Sequence, residues 1–65
     1  MTPEQLKKIR IEANLTQERM ARELKVGTST YRVWEAQKSF SERQEFNINS
    51  RVEYWQSQDK GESNA

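Results

Sequence analysis

The spacing of the apolar residues limits the possible folds of this chain more than any other feature. Apolar residues never stand more than two in a row, as at Val33–Trp34, and most segments do not alternate between apolar and polar residues. Strands need such alternation or a longer apolar run, whereas recurrence every three or four residues is typical of helices that bury one face. Glycine and proline are also scarce, being confined to Pro3, Gly27 and Gly61. The sequence therefore predicts an all-α fold.

At 65 residues the chain has room for one small domain, and it contains neither cysteine nor histidine. Disulfides, thiolate nucleophiles and the commonest general base and metal ligand are thus excluded. The sequence also lacks a glycine-rich phosphate loop and any apolar segment long enough to span a membrane. We therefore expect no metal, no cofactor, no small-molecule ligand and no enzymatic activity, but a binding function in the cytoplasm.

Local start and stop signals divide the chain into four short helices. Thr2, followed by Pro3 and Gln5, forms a helix start with a capping box, and Thr16 is placed to cap a second helix. Asn14 tolerates the left-handed conformation that ends a helix. The predicted helices span 3–13, 17–24, 29–37 and 47–57, and residues 58–65 are expected to form a disordered tail.

The signals after residue 38 are weaker. Phe40 and Phe46 stand in a polar stretch and are expected to pack into the core, and Ser41–Gln44 has the pattern of another capping box. The fourth helix is predicted from the i, i+4, i+7 spacing of its apolar residues Ile48, Val52 and Trp55.

The charges divide unevenly along the chain. Residues 1–38 carry eight basic and five acidic side chains, a net charge of +3, whereas residues 39–65 carry three basic and five acidic ones, a net charge of −2. A basic front half suits contact with a polyanion, with the acidic part turned away. The alternative interpretation is that both sets of charges are solvated helix faces.

Residues Leu15–Glu35, LTQERMARELKVGTSTYRVWE, resemble the helix-turn-helix motif of the lambdoid phage repressor and Cro family. The small Ala21 stands where the third helix crosses closely over the second, and Tyr31 and Trp34 match the buried face of the recognition helix. The resemblance implies a lambda-repressor-like domain over residues 1–57, with the helix-turn-helix at 17–37 and a closing or dimerisation helix at 47–57.

Two positions depart from the family pattern. Lys25 occupies a turn position where the family usually has glycine, because the backbone there is often left-handed. Gln37 stands where the family usually has a glycine that ends the third helix. Each turn is expected to be mildly strained or to take a different shape.

The face of the third helix opposite Tyr31 and Trp34 is expected to read base edges. Hydroxyls can bond to bases or phosphates, arginine is a bidentate partner of guanine, and valine can meet a thymine methyl group. The alternative is that Thr28 only caps the helix, Arg32 is a solvated charge and Val33 belongs to the core. The base-reading residues implied by the resemblance are Thr28, Ser29, Arg32 and Val33.

The resemblance also implies phosphate contacts and one structural ion pair. Gln17 opens the second helix, where the family touches the DNA backbone and where helix amides favour anions. Arg10 and Glu35 match an arginine and an acid that pair in the family, and an arginine on an otherwise apolar helix face needs a partner. The candidate phosphate contacts, which supply affinity without sequence information, are Gln17, Arg19, Lys25, Lys38 and Arg43.

A dimer is expected from the aromatic residues near the end of the chain. A tryptophan there is costly to leave exposed, and two-fold packing of the fourth helix would bury it. The predicted dimer interface consists of Ile48, Val52, Tyr54 and Trp55.

The leading hypothesis is a sequence-specific repressor that binds a palindromic operator in double-stranded DNA as a homodimer and controls its own or a neighbouring promoter. The chain resembles phage Cro-type repressors and anti-CRISPR-associated regulators, which places it in a bacterial host or a phage-infected cell. The alternative is an antitoxin-like or antirepressor-like protein-interaction module on the same fold. Such a module would show more aromatic residues on the outer face of the third helix.

Overall fold

The computed structural model describes the backbone of residues 1–64 and the side chains of residues 1–58. The first three helices agree within one residue with the predicted boundaries, and the fourth is much longer than predicted. No strand occurs within residues 1–64, so the all-α prediction is confirmed. The helices are α1 (Pro3–Glu12), α2 (Gln17–Glu23), α3 (Thr28–Ala36) and α4 (Glu42–Asn64).

Local hydrogen bonds fix both ends of α1. At its start, the Thr2 hydroxyl accepts a hydrogen bond from Gln5 N at 3.2 Å, and Gln5 Oε1 accepts one from Thr2 N at 2.9 Å. At its end, Asn14 has a φ of 61°; its amide donates to the Ile11 carbonyl, and the next amide donates to the Arg10 carbonyl. This Schellman motif confirms the left-handed conformation predicted for Asn14.

A second Schellman motif ends α2 and forms the turn before α3. The helix begins with the Thr16 hydroxyl, which accepts a hydrogen bond from Arg19 N at 3.1 Å. The residue after its C-cap is Lys25, whose φ is 61° and whose amide donates to the Arg22 carbonyl, while the next amide donates to the Ala21 carbonyl. Lys25 thus adopts the left-handed backbone expected at this turn, at a cost of about 1–2 kcal/mol that a glycine would not carry.

The two ends of α3 differ from the sequence expectation. Gly27 is the N-cap residue, and no side chain caps the first turn. The interpretation of Thr28 as the cap is therefore wrong, because Thr28 is already the first helical residue. At the other end, Gln37 has an extended backbone with φ −73° and ψ 155°. The turn after α3 thus takes a different shape, which does not require glycine.

The fourth helix begins at Glu42 instead of residue 47 because the Ser41–Gln44 capping box is its N-terminus. Ser41 Oγ accepts a hydrogen bond from Gln44 N at 3.2 Å, and Gln44 Oε1 accepts one from Ser41 N at 3.1 Å. The side-chain amides of Gln37 and Gln44 also donate to each other, at 3.4 Å and 3.1 Å respectively. Gln44 therefore both caps α4 and ties it to the end of α3.

The helix also continues past residue 57 as far as Asn64. The disordered tail expected at 58–65 is helical over 58–64 in this structure, and Ala65 lies outside the described residues. The segment contains one glycine and no proline, so no residue in it forces the helix to stop.

The hydrophobic core lies where the helices meet. Both α1 and α2 pack against α3, and α4 adds Ile48 and Val52 from the fourth side. Phe40 packs half-buried against this core as expected, whereas Phe46 is 77% exposed and its predicted core role is wrong. Two residues rotate a helix by about 200°, so Phe46 and Ile48 face opposite ways. The buried residues are Leu6, Met20, Ala21, Leu24, Tyr31, Trp34, Ile48 and Val52.

Candidate nucleic-acid interface

The outer face of α3 presents small polar groups, one cation and one apolar side chain. On the inner face, Tyr31 and Trp34 are buried and touch edge to face, with ring centroids 6.1 Å apart. Val33 is 56% exposed, so the alternative that it belongs to the core is wrong. The residues predicted to read bases lie together within about 140° of the helix circumference, and they are Thr28, Ser29, Arg32 and Val33.

These side chains carry the chemistry that base edges require. The Ser29 hydroxyl can donate or accept, the Arg32 guanidinium can donate two hydrogen bonds to guanine, and Val33 can contact a thymine methyl group. No ion pair involves Arg32 among side chains 1–58, so its donors are free. A helix presented in this way fits the width of the major groove.

The predicted phosphate contacts differ in how accessible they are. Arg19 is exposed, but its Nε donates to Glu23 Oε2 at 3.0 Å, which offsets its charge. Gln17 is half-buried, and its Nε2 donates to Glu35 Oε1 at 3.0 Å, so one of its two N–H donors is already used. The other three are exposed and form no ion pair within residues 1–58: Lys25, Lys38 and Arg43.

The Arg10–Glu35 ion pair is present, and it is the centre of a larger network. Arg10 Nε donates to Glu35 Oε2 at 2.7 Å, and Arg10 Nη2 donates to Glu35 Oε1 at 3.3 Å. Gln17 Nε2 and the Tyr31 hydroxyl donate to the same carboxylate. Arg10 Nη1 donates to the Leu15 carbonyl at 2.9 Å. The two charged side chains are only 14% and 5% exposed, so the network joins α1, α2 and α3 below the surface.

The network shifts the pKa values of its members. Burial raises the pKa of Glu35, but hydrogen bonds from Arg10, Tyr31 and Gln17 outweigh it and hold the pKa below its ordinary value of 4.5. The hydrogen bond to Glu35 raises the pKa of Arg10 against the opposing effect of burial. Burial, and then the hydrogen bond to Glu35, raise the pKa of Tyr31. At neutral pH the network therefore holds one cation, one anion and a neutral phenol.

Arg51 is a tertiary contact that the sequence analysis missed. Its Nη1 donates to the Leu24 carbonyl at 2.9 Å and lies 3.4 Å from the Lys25 carbonyl, in the turn of the helix-turn-helix. The available signal was an arginine directly before Val52 on the core-facing side of α4. That signal is weak, because a surface arginine has the same local pattern.

The predicted dimer residues fall into two groups. Ile48 is fully buried and Val52 is 3% exposed within the core of the single chain, so neither side chain can reach a partner, and their assignment to an interface is corrected here. Tyr54 is 60% exposed, and Trp55 is half-buried against the core. Phe46, which is not among the predicted interface residues, faces outward on α4.

Comparison with known proteins identifies the motif. A family model described as helix-turn-helix matches residues 6–41, more than half of the chain, and the chain belongs to this family. Its members are DNA-binding regulators of the XRE type and are not normally enzymes. No curated protein and no solved structure matches the chain. None of the described helices is long and apolar enough to cross a membrane, and no group of potential metal ligands occurs among the described residues.

Removing one member of the Glu35 network should destabilise the domain. The loss of stability should be larger where a buried charge is left unpaired than where a single hydrogen bond is lost. Arg10→Ala leaves the buried Glu35 carboxylate without its cationic partner. It should lower the free energy of unfolding by about 3–5 kcal/mol, which is most of the stability of so small a domain. Tyr31→Phe removes one hydrogen bond to a charged group and should cost about 1.5–3 kcal/mol. Circular dichroism melts would measure both, with the exposed Lys38→Ala as a control within about 0.5 kcal/mol of the parent. Melting temperatures of Arg10→Ala within a degree or two of the parent would contradict this ranking.

The stability of the domain should fall in acid because of Glu35. Since its folded-state pKa lies below 4.5, its ionisation stabilises the fold above that pH. This contribution should be lost as the pH falls through the folded-state pKa. Urea unfolding between pH 6 and roughly pH 3 should show a steeper loss of stability for the parent than for Glu35→Gln. Parallel curves for the two proteins would show that Glu35 does not carry the effect.

Proposed function

We propose that the protein is a sequence-specific repressor that binds an inverted-repeat operator as a homodimer and controls its own or a neighbouring promoter. The observation that carries the proposal is the outer face of α3, where Ser29, Arg32 and Val33 are exposed on a helix held from behind by Tyr31 and Trp34. A polar face with a free guanidinium suits base edges in the major groove. The absence of aromatic residues on that face disfavours the protein-interaction alternative.

The basic residues around this face support backbone contact. Lys25 lies at the turn before α3, Lys38 follows the helix, and Arg43 lies in the first turn of α4. Contacts of this kind set the position on the duplex and make affinity depend on salt. Repression then follows from occupancy, because a protein bound over a promoter blocks access to it.

A second copy of the chain is the proposed partner of the outer face of α4. Phe46 and Tyr54 are 77% and 60% exposed, and Ser50 lies between them at about 40° from each around the helix. Two such faces packed across a two-fold axis would bury the rings of Phe46 and Tyr54. The two copies of α3 would then lie about 34 Å apart, one turn of DNA.

Selection from a pool of random double-stranded oligonucleotides, followed by sequencing, tests the proposal directly. The expected result is an inverted repeat with half-sites about 10 base pairs apart, centre to centre. A pool that returns no enriched sequence, from a protein whose folding has been checked, would overturn the sequence-specific function.

Replacing Arg32 should relax sequence preference at one position of each half-site. Arg32→Ala should lose about 1–3 kcal/mol of binding to the selected duplex and much less to a scrambled duplex, because a base contact carries sequence information. Arg43→Ala is the matched comparison, because Arg43 is exposed and forms no ion pair within residues 1–58. It should weaken both duplexes alike, as a phosphate contact does. Fluorescence anisotropy at one fixed salt concentration measures both. Equal loss on the two duplexes would make Arg32 a phosphate contact instead.

The dimer should depend on the outer face of α4. The parent should be a dimer by light scattering at tens of micromolar, and the double variant Phe46→Ser, Tyr54→Ser should be a monomer that still melts cooperatively. Gln56→Ser, elsewhere on α4, should leave the dimer intact. Truncating α4 would not be a fair test, because it also removes Ile48 and Val52 from the core. A folded parent that is monomeric at this concentration would contradict the proposed interface.

A further inference from the structure

Arg51 links α4 to the turn between α2 and α3. Its Nη1 donates to the Leu24 carbonyl at 2.9 Å and, more weakly, to the Lys25 carbonyl at 3.4 Å. Its Nε donates to Asn47 Oδ1 at 3.0 Å, one turn back along α4. The guanidinium is therefore held by its own helix while it reaches the neighbouring turn. Such a bond to a cation is about twice as strong as one between neutral groups.

The turn leaves two carbonyls without a backbone donor. The Schellman motif satisfies the carbonyls of Ala21 and Arg22, but not those of Leu24 and Lys25, which follow. No other group among the described residues donates to these two carbonyls. Arg51 thus supplies the hydrogen bonds that the backbone of the turn does not provide for itself.

The same turn contains the most strained backbone conformation of the helix-turn-helix. Lys25 has a φ of 61°, in the left-handed region that side chains with a Cβ atom rarely adopt. The direction of the Lys25 carbonyl depends on the φ and ψ angles of Lys25. The bond to the Lys25 carbonyl is therefore made only while this backbone stays left-handed, whereas the bond to the Leu24 carbonyl holds the peptide group just before it. Through the bond to Lys25, Arg51 favours the left-handed conformation over the alternatives.

We propose that Arg51 is a positioning residue for DNA recognition, which holds the turn at Lys25 and thereby fixes the angle at which α3 is presented. The proposal rests on the proposed sequence-specific function. It assigns Arg51 no contact with DNA. The turn is three residues long between Leu24 and Thr28, so a change in one pair of backbone angles there redirects the whole of α3. Random DNA requires less exact placement of α3 than a specific operator does.

The first arm of the test measures the turn without DNA. Amide hydrogen exchange is compared between the parent and Arg51→Met. The amides of Lys25 and Val26, which close the Schellman motif, should exchange at least about tenfold faster in the variant, as expected for loss of a hydrogen bond from a charged group. The Asn14 and Leu15 amides, which close the matching motif after α1, should change less than about twofold. A uniform acceleration at both motifs would show only general destabilisation and would overturn the proposal.

The second arm measures binding. Arg51→Met should bind the selected duplex about tenfold more weakly and a scrambled duplex within about twofold of the parent. Equal weakening on both would make Arg51 a simple source of positive charge and would overturn the proposal. If selection enriches no sequence, the proposed function fails, while the exchange measurement still decides the role of Arg51 in the turn.

Rescue at Lys25 separates positioning from loss of charge. Lys25→Gly makes the left-handed backbone easy, whereas Lys25→Ala removes the same charge and keeps the conformational penalty. In the Lys25→Gly background, Arg51→Met should therefore cause little loss of selectivity for the selected duplex over the scrambled one. In the Lys25→Ala background, it should cause the full tenfold loss. The glycine background also provides a folded variant if Arg51→Met alone does not fold. Equal losses in the two backgrounds would overturn the proposal.

Discussion

The arrangement of the first three helices depends on the hydrogen bonds that the Glu35 carboxylate accepts. It accepts hydrogen bonds from two nitrogens of Arg10, from Gln17 and from Tyr31, so that α1, α2 and α3 each contribute a donor. A carboxylate that is 5% exposed is stable there only because its lone pairs are met. The recognition helix is therefore held by its last turn as well as by its apolar face. This polar anchor fixes the rotation of α3, which apolar packing specifies less sharply.

Local sequence signals predict the bounds of the first three helices, because these signals lie within a few residues of the helix ends that they determine. Thr2, Thr16 and Asn14 act on backbone groups next to them, and the structure has the expected bonds at each. The outward position of Phe46 does not follow from such signals, because a phenylalanine in a polar stretch fits either side of a helix equally well. Only the packing of α4 against the core decides that Ile48 is buried and Phe46 is not.

The candidate site was predictable to a similar degree. The exposed face of α3 follows from helical periodicity once Tyr31 and Trp34 are taken as the buried side, and the Arg10–Glu35 pair follows from the family pattern. The hydrogen bond from Gln17 to Glu35 and the contact of Arg51 with the turn do not follow, since both join residues that are far apart in sequence. Arg10 and Arg51 make equivalent contacts. Each donates a hydrogen bond to a carbonyl at the left-handed turn that ends a helix, Arg10 after α1 and Arg51 after α2.

The junction between α3 and α4 is held by uncharged groups. Gln37 and Gln44 exchange hydrogen bonds through their side-chain amides, and Gln44 caps α4 through Ser41. Dissolved ions screen interactions between charges, whereas a pair of amides has no net charge to screen. This link between α3 and α4 is thus unaffected by charge screening as the ionic strength changes. A salt titration of DNA binding would accordingly weaken contacts with phosphates and leave this link between the two helices in place.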